Sequence, residues 1–93
     1  MKLVYTEEAI TDLKRLREFI AAHNPNAANK VAKGLIEKIA LLLDFPKIGA
    51  PVQQAPLPET IRDMVFNNYI VRYSIHPNTI IILRLWPGRE EEV

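Results

Sequence analysis

The segment that most limits how this chain can fold is TIRDMVFNNYIVRYSIHPNTIIILRLWPGR, residues 60–89. It holds three runs rich in β-branched and aromatic residues, the side chains that suit a pleated, half-buried surface. Two turn signals divide them. Asn67-Asn68 tolerates the positive φ that a two-residue hairpin needs, and Pro77-Asn78 fits the centre of a type I or II turn. The reading is an antiparallel meander with a definable register. A turn at Asn67-Asn68 pairs Phe66 with Tyr69, Met64 with Val71 and Asp63 with Arg72. A turn at Pro77-Asn78 pairs Ile75 with Ile80, Tyr73 with Ile82 and Arg72 with Leu83. Strand alternation then predicts two faces. Met64, Phe66, Tyr69, Val71, Tyr73, Ile75, Ile80, Ile82 and Trp86 share one. Ile61, Asp63, Val65, Ile70, Arg72, Ser74, Ile81, Leu83 and Leu85 share the other. Both are largely apolar, whereas a sheet with one solvated face is polar there. Each face therefore needs a cover.

The first half of the chain supplies one. Lys2–Tyr5 is a strand candidate, and Thr6 is placed to cap a helix whose first turn carries Glu7 and Glu8. Ala9, Ile10, Leu13, Leu16, Phe19 and Ile20 follow at helical spacing, with Asp12, Lys14, Arg15, Arg17 and Glu18 on the remaining faces. Asn24-Pro25 restarts the chain as N-cap and first helical residue. The second helix runs to about Asp44, with Gly34 set for close approach of the first helix. So short a link makes the pair an antiparallel hairpin. From Phe45 to Glu59, Pro46, Gly49, Pro51, Pro56 and Pro58 rule out a long regular element. A connector with a brief extended pairing near Val52 is expected. The predicted order is β-α-α-β-β-β, an α+β fold in which a two-helix hairpin packs on one face of a mainly antiparallel sheet. Residues 1–93 read as one domain, because neither flank of the connector buries a core alone.

Chemistry is conspicuous by what is missing. The chain has no cysteine, hence no disulfide, thiolate nucleophile or cysteine zinc site. His23 and His76 lack ligand spacing, so no metal site is expected; the three glycines are isolated, and no phosphate loop or cofactor follows. Ser74 is the only serine, and no histidine is expected to activate it from an adjacent strand position. No catalytic residue is assigned. Net charge is +1, but Arg62, Arg72, Arg84 and Arg89 face Asp63 alone over residues 61–89, before Glu90 to Glu92 cancel them. Arg72 reads as an ion pair with Asp63, and Arg84 as the partner of a helix carboxylate. Trp86 and Arg89 close the last strand, where an aromatic beside a cation marks recognition; the competing reading is an edge tryptophan capping the core. Acids arrive too early for a signal peptide, and no apolar run nears the roughly 20 residues of a membrane span. A cytoplasmic protein is expected.

Asn-Pro-x-Ala-Ala at Asn24 to Ala28, Pro46, Gly49, the run Asn68 to Tyr73 and the ending Arg84-Leu85-Trp86-Pro87-Gly88-Arg89-Glu90 together resemble the RelE/ParE toxin superfamily. The resemblance covers essentially the whole chain, in order and spacing. It implies a toxin of a bacterial type II toxin–antitoxin module, of the kind also described as plasmid stabilisation proteins. It further implies a first strand beside the last and a cognate antitoxin whose extended C-terminal segment wraps the toxin. That antitoxin is the expected cover for the second face, at Ile61, Asp63, Val65, Ile70, Arg72, Ile81, Leu83 and Leu85, with Trp86 and Arg89 left for the cellular target. RelE-like members cut mRNA on the ribosome and ParE-like members poison DNA gyrase. The RelE-like lysines fall on Ile61 and Asp63, an arginine on Ile70, and the C-terminal arginine on Glu90. Isoleucine can neither move a proton nor neutralise a phosphate. The ParE-like branch is therefore expected, with gyrase as target and no catalysis. The alternatives are an mRNA endoribonuclease acting through Arg72 and Arg89, and a degenerate toxin that only binds its antitoxin, since Pro87 stands where the ParE-like ending carries histidine. Membrane partners are not expected, and a homodimer is left open.

Overall fold

A computed structural model describes residues 1–56 and 60–88. Five strands and two helices follow in order: β1 (Lys2–Tyr5), α1 (Glu7–His23), α2 (Pro25–Ala40), β2 (Ala50–Pro51), β3 (Ile61–Phe66), β4 (Tyr69–Ile75) and β5 (Thr79–Pro87). The sheet order is β1-β5-β4-β3-β2, with β1 parallel to β5 and the other pairs antiparallel. The first strand thus lies beside the last, as the resemblance implied.

The helix boundaries follow from their caps. Thr6 Oγ1 accepts the Ala9 N–H at 3.0 Å and donates to the Leu83 carbonyl at 2.8 Å, so one hydroxyl starts α1 and ties it to β5. Asn24 Oδ1 accepts the Ala27 N–H, with Pro25 in the first helical position. Helix α2 is shorter than its apolar pattern predicts. Its last turn tightens into a 3-10 turn at Leu41–Leu43 before Pro46.

The core lies between the hairpin and one sheet face. Ala9, Leu16, Leu35, Ile39 and Leu42 meet Met64, Val71, Tyr73, Ile80, Ile82 and Leu85, flanked by Phe66, Tyr69 and Ile75. Gly34 faces Phe66 rather than α1, which corrects the expected reason for a glycine there. A Cβ at this position would meet the Phe66 ring at 3.9 Å, an ordinary contact. Nothing in the packing requires glycine, so Gly34→Ala should stabilise the fold by up to about 1 kcal/mol through helix propensity. A thermal melt reads this directly, as a rise of several degrees in a domain of this size.

The connector is pinned rather than loose. Tyr73, fully buried, donates its hydroxyl to the Pro46 carbonyl at 2.6 Å and accepts the Gly49 N–H at 3.0 Å. Arg62 Nη1 donates to the Gly49 carbonyl at 2.6 Å. Gly49 passes so close to β3 that a Cβ would lie 2.6 Å from the Asp63 carbonyl oxygen. The brief pairing expected near Val52 is β2, extended by the Val52 N–H to the Ile61 carbonyl.

Candidate functional site

Through the first turn the register is as read from the sequence: Phe66↔Tyr69, Met64↔Val71 and Asp63↔Arg72. Asn67 takes the positive φ, 55°. Across the second turn Ile75↔Ile80 and Tyr73↔Ile82 also hold, but Arg72 lies opposite Arg84 instead of Leu83. A β-bulge between Arg72 and Tyr73 inserts one extra residue in β5, and it exchanges the faces of everything after it. Val71 pairs with Leu85 and Ile70 with Trp86. Leu85 is therefore a core residue, 3% exposed, and not part of the open face. Trp86 is the reverse. It was placed on the helix-covered face and lies on the open one, where the Arg72 guanidinium carbon sits 5.2 Å from its ring centroid.

Asp12 shapes this bulge. It belongs to the sheet-facing stripe of α1, between Ala9 and Leu16, not to the solvated faces, and is 8% exposed. Its Oδ2 accepts Arg84 Nε at 2.7 Å and the Leu85 backbone N–H at 3.0 Å, and Oδ1 accepts Arg84 Nη2 at 3.1 Å. This is the helix carboxylate expected for Arg84. The Arg84 hydrogen bonds hold the Asp12 carboxyl below the usual carboxylate range, helped by the Leu85 N–H and opposed by burial. Strand β1 ends at Tyr5, so beyond Ile82 the β5 edge has no strand neighbour. Thr6 and Asp12 take over there, the first accepting no strand bond but donating to Leu83, the second accepting from Leu85.

The open face then has three rows. Val4, Ile81, Ser74 and Ile61 lie across one row. Arg72 and Asp63 form the next, beside the bulged Leu83. Trp86, Ile70 and Val65 form the third. Of the residues expected to share this face, Ile61, Asp63, Val65, Ile70, Arg72, Ile81 and Leu83 do so, and only Leu85 is withdrawn. Arg89 lies outside the described residues. Val4, 44% exposed, is an open-face residue that the meander alone did not reveal; β1 pairing with β5 adds it.

At the centre, Arg72 Nε and Nη2 donate to the two Asp63 carboxylate oxygens at 2.8 and 2.9 Å. This fork-on-fork geometry raises the Arg72 pKa above its ordinary value, chiefly through the Asp63 hydrogen bonds. The pair is self-satisfied, so an apolar partner can lie over it without leaving a lone charge. Ser74 and His76 also differ from expectation. Their Oγ and Nε2 are 2.9 Å apart, because residues two apart on a strand share a face. No carboxylate among the described residues binds the other ring nitrogen, so the pair lacks the orienting group of a nucleophilic site. Among the described residues no cluster of three metal-ligating side chains occurs, and no helix is long and apolar enough to cross a membrane.

Two comparisons bear on this architecture. A sequence model of the family described as "ParE toxin of type II toxin-antitoxin system, parDE" matches residues 3–92. A solved structure described as "Chromosomal ParDE TA system from P. aeruginosa" superposes with a TM-score of 0.78 at 21% identity, over 94% of this chain and 95% of that one. Among curated proteins none matches significantly.

Proposed function

Because this chain belongs to the ParE toxin family of type II toxin–antitoxin systems, we propose that it arrests growth in the cytoplasm by poisoning DNA gyrase. A cognate antitoxin neutralises it by covering the open sheet face. The observation that carries this reading is the chemistry of that face. It is a continuous apolar surface around one satisfied ion pair, rimmed by Trp86. Ile61, Asp63 and Ile70 occupy the positions where RelE-like nucleases place lysines and arginine. Arg72 is the basic group that remains, and both of its forked donors are spent on Asp63. A face whose arginine is spent on Asp63, and whose one histidine pairs with Ser74 without a carboxylate behind it among the described residues, favours binding protein over cleaving RNA.

Controlled expression with two readouts tests this. Plasmid supercoiling should be disturbed while ribosome-bound mRNA stays intact. Fragments mapping to A-site codons would overturn the reading in favour of the endoribonuclease. Normal growth with tight antitoxin binding would identify a degenerate toxin, the outcome that Pro87 in place of histidine favours.

A further inference from the structure

A second apolar surface lies on the helix side of the sheet, where α2 gives way to the connector. Leu41 opens the 3-10 turn, and its carbonyl accepts the Phe45 N–H at 2.9 Å. Residues four apart on such a turn have neighbouring side chains. The Phe45 carbonyl then accepts the Ile48 N–H at 3.1 Å. A four-residue turn of this kind brings its end residues within about 7 Å. Leu41, Phe45 and Ile48 therefore form one contiguous knuckle, with exposures of 39%, 59% and 49%. The residues between and beside them face inward. Leu42 is fully buried, the Pro46 carbonyl accepts the Tyr73 hydroxyl, and Gly49 lies against β3.

Two features distinguish this knuckle from scattered surface hydrophobes. The first is rigidity. Tyr73 and Arg62 hold the backbone from Pro46 to Gly49 from beneath, so the surface is formed before anything touches it and association needs little further ordering. The second is charge. Glu37, Lys38, Asp44 and Lys47 border it, two of each sign. None of these four side chains forms a hydrogen bond or ion pair among the described residues. An occupant of a single charge sign would set half of this rim against like charge. A second copy of the chain does not. Across a two-fold axis the patch meets itself, and Asp44 of each copy can face Lys47 of the other.

We infer that two copies of this chain meet here in a symmetric dimer, with Phe45 and Ile48 at its centre and Asp44 paired with Lys47 across the axis. The patch is small, so the dimer is weak and reversible. Tyr73 belongs to the helix-covered core, so the turn it holds lies away from the open face, which stays free in the dimer. The inference is independent of the toxin's target and of where its antitoxin binds.

Sedimentation velocity of the full chain, from micromolar to near-millimolar concentration, should show a reversible monomer–dimer equilibrium. Phe45→Asp and Ile48→Asp change exposed side chains, should keep the wild-type melting temperature, and should each weaken association tenfold or more. Asp44→Lys and Lys47→Asp should each weaken it too, since either change sets like charges against each other at both ends of the contact. An equimolar mixture of these two variants should associate more tightly than either alone, because opposite charges then face across the axis at both ends. Ile70→Asp, on the open face, should leave association unchanged. Four results would overturn the proposal. One is a monomer at every concentration. Another is a dimer undiminished in folded Phe45→Asp and Ile48→Asp. A mixture no tighter than its components would exclude the two-fold pairing. A dimer lost in Ile70→Asp but kept in Phe45→Asp would put the second copy on the open face instead.

Discussion

Asp12→Ala is expected to destabilise the fold by about 1–3 kcal/mol, the usual loss when a buried donor is stranded. The donor is the Leu85 backbone N–H, which has Asp12 Oδ2 as its acceptor at the β5 edge. In a domain of this size the melting temperature should fall by roughly 4–8 °C per kcal/mol. Arg84 adds little of its own, since its side chain is 54% exposed. The larger consequence is positional. Without Asp12 the bulge keeps only the Thr6 hydroxyl on the Leu83 carbonyl, and the straight register that turns Leu85 outward and Trp86 inward becomes competitive. Tryptophan emission should shift accordingly, even at temperatures where the variant is folded. Asp12→Asn separates shape from charge. The folded carboxyl has a depressed pKa, so its contribution is fully present above the unfolded value near 3.9 and disappears as pH falls through the folded value. Wild type should therefore lose stability in that acid range more steeply than Asp12→Asn. Parallel acid limbs would show that Asp12 acts only by shape.

That one aspartate also marks where the sequence stopped being legible. The caps at Thr6 and Asn24, the hairpin, the meander and the first turn's register are all local, and each rests on a few adjacent residues. The second turn sets the register of β4 and β5 correctly as far as Tyr73 and Ile82. Beyond that the bulge intervenes, and no residue in β5 announces it. Its cause lies more than seventy positions away, where β1 ends too early to pair the rest of β5 and a helix carboxylate takes the next N–H. A pattern read for apolar periodicity places any charged residue on a wet face, so Asp12 was assigned there. The informative signal was its position three residues after Ala9 and four before Leu16, within the buried stripe. The exchange of Leu85 and Trp86 follows from that single omission. Val4 was missed for a related reason: parallel pairing between the chain's ends has no turn to fix its register.

The open face yields the largest expected effect. Ile70 and Ile81 lie in its two apolar rows, on either side of the Asp63–Arg72 pair. An aspartate at either site should leave the core intact, because neither side chain belongs to the buried cluster. Under an antitoxin it becomes an unpaired carboxylate carried out of water, at a cost of several kcal/mol. Each 1.4 kcal/mol is about tenfold in affinity, so antitoxin binding should weaken by roughly a hundredfold or more. Val65→Asp is the graded comparison. That side chain is 65% exposed in the free toxin and belongs to the same expected antitoxin face, so the size of its loss reports how far the cover reaches across β3. Leu85→Asp is the opposite control. It buries the charge against Val71 and the helices and should prevent folding altogether. Calorimetric titration of the folded variants with the antitoxin's C-terminal peptide, beside circular dichroism of all four, separates these outcomes. Undiminished affinity in both Ile70→Asp and Ile81→Asp would place the antitoxin on the helices and leave the open face to the toxin's target. A folded Leu85→Asp would instead mean that β5 runs straight, and that the bulge is not held in solution.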